Sequence, residues 1–285
     1  MAYENEIYYS VIIASTVSLI SCGLLIAAIV IVKGSSSLSY KLILYLTISD
    51  IFTSVGFLLP NSPLEVCYIQ AFLINFSILS SIMFTAVILN FLHWTIVLQN
   101  KPSMKLEIFY LVIAWVLPCA LSVIPIITKS YKNTSGWCWI YERNLAVSIT
   151  LQLVEGFAIA FFVLVYNIIT LIKINKKLKS ELAENEREDR LRKKLMKRMI
   201  YYPLVLLICI LPAGIYRILE SKGVDSSIAL KIIAADGQCL LGFGNAIVYG
   251  FTENLKKKVK LKFKLIDYDE SAERFSANNV DYKDS

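Results

Sequence analysis

The chain has 285 residues, 56% hydrophobic and 18% charged, with 29 basic against 22 acidic side chains, six cysteines and one histidine. Soluble domains carry about 25% charged residues, so this balance, with a mean hydropathy of +0.61, excludes an ordinary soluble fold and a disordered chain. It also excludes a disulfide-stapled mini-protein and a histidine-rich metal site.

A bilayer core about 30 Å thick needs a helix of about 20 mostly apolar residues. Seven such runs occur, approximately Tyr8 to Val32, Leu42 to Leu59, Cys67 to Leu92, Ile108 to Ile127, Leu145 to Ile172, Ile200 to Leu219 and Ile228 to Phe251. Helices are required because hydrocarbon cannot satisfy a free backbone donor, and the runs lack the alternation of barrel strands. The predicted fold class is therefore all-α. A short outer N-terminus (1–7) leads into a seven-helix membrane domain (8–251), an amphipathic interfacial eighth helix (252–266) and a disordered tail (267–285). The start carries Glu4 and Glu6 but no basic residue, so the first span itself is the expected insertion signal.

Basic residues near span ends are retained on the cytoplasmic side. With the N-terminus outside, 23 of the 29 lysines and arginines fall in inner segments and 6 in outer ones. A multi-pass protein of the plasma membrane is expected, with an extracellular start and a cytoplasmic end. The sequon Asn133-Thr134-Ser135 falls in the second outer loop, so Asn133 is the glycosylation candidate; Asn75-Phe76-Ser77 matches the same pattern but lies inside a span. Cys22, Cys119, Cys209 and Cys239 fall within spans, whereas Cys67 and Cys138 both face the oxidising side. A Cys67–Cys138 bridge would tie the outer loop over the bundle mouth.

Ionisable groups inside a span cost at least about 2.5 kcal/mol on insertion scales, so each is a functional candidate. Asp50 lies mid-span in the second helix at a depth comparable with Asn245 in the seventh. Together they form either a hydrated polar site, with room for a cation, or a structural hydrogen bond between helices. Glu155 and Asp236 are either contacts of a ligand pocket or partners of Lys231, Arg217 or water. Pro118, Pro125 and Pro212 each remove a backbone donor, which makes them hinge candidates. Tyr166, Tyr249 and Trp94 lie toward inner span ends, where interfacial anchoring is the ordinary role.

On the inner face, Lys173 to Met199 alternates charge at helical i,i+4 spacing, as in Glu186 and Arg190, so the fifth and sixth helices are expected to project beyond the membrane. Its basic ends attract anionic lipids of the inner leaflet and can equally receive a partner. Phe251, Leu255, Val259, Phe263 and Ile266 form an apolar ladder among six lysines, the pattern of an interfacial amphipathic helix.

Several segments are similar to the cyclic-AMP receptor family of social amoebae and its cyclic-AMP-receptor-like relatives, which are G-protein-coupled receptors. They are Met83-Phe84-Thr85-Ala86, Ala114-Trp115 with Pro118, Gly136-Trp137-Cys138-Trp139-Ile140, Tyr202-Pro203-Leu204, Leu211-Pro212, Arg217-Ile218 and the run Gly242 to Gly250. Leu92-His93-Trp94 stands where an Asp-Arg-Tyr would be, and Asn245 is followed by Ala246 instead of proline; both set the chain apart from the rhodopsin-like class. The resemblance implies that an extracellular small molecule, cyclic AMP or another anionic metabolite, shifts the bundle and that a heterotrimeric G protein exchanges nucleotide inside. For such a ligand the outer-face cations Lys129, Lys132, Arg143, Arg217 and Lys231 are either phosphate partners or ordinary solvated loop charges, and Glu155 and Asp236 complete the ligand candidates. The switch candidates are Asp50, Tyr166, Pro212, Asn245 and Tyr249, and the G-protein contact candidates are His93, Trp94, Lys194, Lys197 and Arg198.

A retinal protein would need a mid-span lysine in the seventh helix, and Lys231 lies near its outer end. A membrane enzyme would need paired carboxylates or a nucleophile with its base at one depth; the acids here are scattered. A transporter would show internal repeats and paired broken helices, and an orphan that has lost signalling is the remaining alternative. No enzymatic activity, cofactor or nucleic-acid partner is expected.

Overall fold

The computed structural model describes residues 2–32, 37–134, 137–141, 157–181, 186–221, 224, 227–250, 259 and 261, with the backbone alone at 2–5, 134, 181, 186–200, 202 and 221. Its helices are α1 (Ala2–Ile31), α2 (Leu38–Leu58), α3 (Leu64–Ile96), α4 (Met104–Ile127), α5 (Ala158–Glu181), α6 (Glu186–Ser221), α7 (Ile228–Cys239) and α8 (Leu241–Gly250). Six segments are long and apolar enough to cross a membrane singly, and α7 with α8 makes a seventh span bent by 44°. The protein is a seven-helix membrane bundle. The projected eighth helix falls almost wholly outside the described residues, as does the tail; Val259 packs against the core.

Span edges differ from the hydropathy reading for a physical reason. Polar residues extend helices past the apolar run, so α3 begins at Leu64 and ends at Ile96, and α6 continues as one helix from Glu186. Caps set other starts: Ser103 accepts from the Leu106 N–H and Ser227 from the Leu230 N–H, both at 3.3 Å. The helix starting at Ile228 is where the sequence places it.

Two spans are irregular. Pro118 cannot donate to the Ala114 carbonyl one turn before it, and α4 relaxes into a π-helical turn at Val112–Val116. The Ser80 hydroxyl of α3 donates to that carbonyl instead, so the lost ladder bond becomes a link between helices. Helix α6 runs continuously through Pro203 and Pro212, and the sharp bend falls at Leu240, beside a glycine-rich stretch. There α8 lies close against α1 and α2. A Cβ built on Gly242 would sit 2.6 Å from Ser18 Oγ, 2.8 Å from Cys22 Sγ and 2.9 Å from Asp50 Cβ, so only glycine permits the approach.

The loop after α4 is more regular than its composition suggests. Strands β1 (Tyr131–Thr134) and β2 (Trp137–Ile140) pair antiparallel, with Asn133 opposite Cys138 and Lys132 opposite Trp139. A two-stranded ribbon is marginal by itself in water. This one is held down: Tyr131, Trp137, Cys138 and Ile140 are buried, and Cys138 is disulfide-bonded to Cys67 at the start of α3, with Cα atoms 5.4 Å apart.

Candidate functional site

Three polar centres lie along the bundle, and one stripe of α3 serves two of them. Gln70, Ser77, Ser81 and Thr85 recur at helical spacing on one face, and each binds a neighbour. Gln70 Nε2 donates to the Leu59 carbonyl at 2.7 Å while its Oε1 accepts from the Cys138 N–H at 2.8 Å. Thr53 donates to Ser77 at 2.9 Å, and Asn167 of α5 donates to Thr85 at 3.1 Å.

The middle centre is built on Asp50, which is 1% exposed. Its Oδ1 accepts from Ser81 Oγ at 2.5 Å and its Oδ2 from Asn245 Nδ2 at 2.9 Å. One carboxyl thus joins α2, α3 and α8, just below the bend in the seventh span. The pairing of Asp50 with Asn245 is the one expected from depth; Ser81 and the Gly242 contact were not singled out, although the polar stripe of α3 was a signal for the first. Among the described residues no group of three or more His, Cys, Asp or Glu forms a metal cluster.

At the hairpin end the two indoles of β2 and the phenol of Tyr216 enclose a cation. The Arg217 guanidinium carbon lies 5.1 Å from the Tyr216 ring centroid, 5.6 Å from Trp137 and 5.8 Å from Trp139, within cation–π range. Arg217 is 6% exposed and its Nη1 lies 2.6 Å from Glu220 Oε2; the Tyr216 hydroxyl donates to Glu220 Oε1 at 3.1 Å. Trp137 in turn packs edge-on to Phe57 of α2. Beneath the hairpin is a cavity of about 30 Å³ lined by Asn75, Ile78, Trp139, Ile210 and Gln238 among others, room for about one or two waters. Trp139 Nε1 and Gln238 Oε1 are buried there with no hydrogen-bond partner among the described residues.

The remaining ligand candidates are dispersed. Asp236 turns away to α1, where it accepts from Ser10, and not toward Arg217, which takes Glu220. Lys129 is exposed at the hairpin base with φ 56°, Lys132 lies over the Tyr141 ring at 5.7 Å, and Lys231 is half-buried in the first turn of α7. Arg143 and Glu155 lie outside the described residues. Asn133 is exposed on β1, while Asn75 is buried and donates to the Tyr131 hydroxyl at 3.1 Å, so the pattern at Asn75 belongs to packing.

At the opposite end Tyr110 donates to Asn90 Oδ1 at 2.8 Å and Asn90 donates to the Tyr166 hydroxyl at 2.6 Å, joining α4, α3 and α5. Glu107 of α4 accepts from Lys41 at 2.9 Å and from Tyr45 at 2.8 Å, both on α2. Only Tyr166 of this group was marked by sequence, and Tyr249, expected at the interface, is buried at 1% exposure. His93 and Trp94 are half-buried near the end of α3; Lys194, Lys197 and Arg198 lie in α6 with side chains outside the described residues.

The family model for the slime mold cyclic AMP receptor matches residues 1–235. The chain belongs to that family. It is 24% identical over 263 residues to G-protein coupled receptor 1 of Arabidopsis thaliana, covering 88% of this chain and 80% of that protein. Cyclic AMP receptor-like protein A of Dictyostelium discoideum is 23% identical over 258 residues, 88% of this chain. Cyclic AMP receptor-like protein C of the same organism is 25% identical over 236 residues, 76% of this chain. The chain spans 64% of the length of each of these two. Family membership makes this a multi-pass membrane protein of the cyclic-AMP-receptor-like class of G-protein-coupled receptors.

Proposed function

We propose that the protein is a receptor that binds an extracellular small molecule, an anionic metabolite of which cyclic AMP is one candidate, at the hairpin end and activates a heterotrimeric G protein at the opposite end. The carrying observation is the Asp50 joint. A single buried carboxyl takes donors from two other helices through its two oxygens and the seventh span bends beside it; in this reading the joint is made in one state of the bundle and broken in the other. Moving such a bundle from 1:99 to 99:1 takes about 5.5 kcal/mol of differential affinity.

In this reading the hairpin end is extracellular, Asn133 carries glycan, and the N-terminal and C-terminal segments lie on opposite sides of the plasma membrane. Arg217 receives the ligand's acidic group, with Lys231 and Lys132 as further cations of the same end. Asp50, Asn245, Tyr166, Tyr249 and Pro212 carry the switch, a monovalent cation or a proton balancing Asp50. His93, Trp94 and the basic inner part of α6 face the G protein and anionic lipid. The test is nucleotide exchange by heterotrimeric G proteins on the purified chain in lipid nanodiscs, across a panel of extracellular metabolites that includes cyclic AMP. Ligand-dependent exchange that Asn245→Ala suppresses is expected. Labelled-metabolite uptake without exchange would favour the transporter alternative.

A further inference from the structure

Arg217 presents an unequal pair. The guanidinium is boxed by three rings and 6% exposed, whereas its carboxylate partner Glu220, one turn further along the same helix, is 32% exposed. The cation is fixed by its surroundings; the anion is attached by one ion pair and the Tyr216 hydroxyl. Glu220 can leave by rotating its own side chain, with no movement of α6. A guanidinium has five N–H donors, and among the described residues Nη1 to Glu220 is the hydrogen bond that Arg217 makes.

Among the described residues the surroundings offer few acceptors. Trp139, whose ring lies on Arg217, has its indole N–H buried without an acceptor among the described residues. The same side chain walls the cavity that Gln238 shares. Spare donors around a desolvated cation call for an acidic group with oxygens on more than one side, such as a carboxylate or a phosphate. Because Glu220 is tethered, it competes as an intramolecular partner that loses no translational freedom on pairing. A simple anion without further contacts loses to it, and an acid carrying a planar group that lies against the indole can win.

We propose that Glu220 is a tethered competitor occupying an acid-binding subsite made by Arg217 and the hairpin indoles, and that a ligand's acidic group enters by displacing it. The proposal rests on the reading of the hairpin end as the ligand side, and extends it to a built-in block. Displacement also breaks the Tyr216 hydrogen bond to Glu220, so occupancy is registered on α6 itself.

The test uses the full chain in nanodiscs with phenyl phosphate as probe and its neutral dimethyl ester as control, read by tryptophan emission and thermal shift, without G protein. Glu220→Gln should bind phenyl phosphate about tenfold more tightly, equivalent to about 1.4 kcal/mol. Tyr216→Phe, which removes the hydroxyl that donates to Glu220, should tighten it by a smaller factor, and Arg217→Gln should abolish binding. The neutral ester should not distinguish wild type from Glu220→Gln. Unchanged or weaker binding in both Glu220→Gln and Tyr216→Phe overturns the proposal, as does equal tightening toward the ester. Tighter phenyl phosphate binding in a protein that never activates a G protein would sustain the subsite while sinking the receptor reading.

Discussion

The two ends of the bundle are held by different means. At the hairpin end the fastening is covalent and aromatic: a disulfide to α3, a backbone amide on Gln70, and Arg217 enclosed by rings of β2 and α6. At the opposite end α2, α3, α4 and α5 meet through exchangeable side-chain bonds, Lys41 with Glu107 and Tyr110 through Asn90 to Tyr166. In a bilayer such bonds average about 0.6 kcal/mol each, small enough to be remade one at a time. A covalently roofed end suits recognition of a fixed shape, and an end closed by weak bonds suits opening. The Asp50 joint lies between, enclosed like the first and exchangeable like the second.

Breaking the covalent fastening should have the largest effect. Cys138→Ala opens a bridge across 71 residues and should cost about 2–5 kcal/mol, seen as a lower unfolding temperature in detergent and as lower surface expression. An unchanged melting temperature would remove the staple from the comparison. Gly242→Val comes next: its side chain meets Ser18, Cys22 and Asp50 inside ordinary contact distance, and overpacking of this kind costs about 1–3 kcal/mol. Expression with wild-type melting would show that α8 yields freely.

Asn245→Ala removes one of the two donors to Asp50 and should cost about 1–2 kcal/mol. It should depress ligand-dependent exchange more than melting temperature, and an unaltered response would take Asn245 out of the switch. The smallest change is Glu107→Gln, which weakens a half-exposed pair with Lys41 worth about 0.2–1 kcal/mol. Basal nucleotide exchange should rise slightly and its salt dependence should flatten.

Much of the architecture was legible because a membrane imposes a length and an apolar composition on every span. Seven runs, the order of the helices and the start of α7 at Ile228 follow from that constraint. So does the pairing of Cys67 with Cys138, since the other four cysteines fall within spans. Asp50 and Asn245 were legible as a pair because a polar residue in hydrocarbon must find a partner at its own depth.

Depth alone does not say which face of a helix a side chain occupies, and that is where the structure decided. Asp236 turned to Ser10 and Arg217 to Glu220, two choices of rotation that charge complementarity along the sequence leaves open. The bend fell at Leu240 while α6 ran unbroken through Pro212, because neighbours can satisfy the backbone groups a proline frees. The hairpin, too, exists by attachment: eight residues too few to fold alone form strands once a disulfide and buried rings hold them to α3 and α6. Hydropathy thus determined how many times the chain crosses, and tertiary packing determined which polar atoms meet.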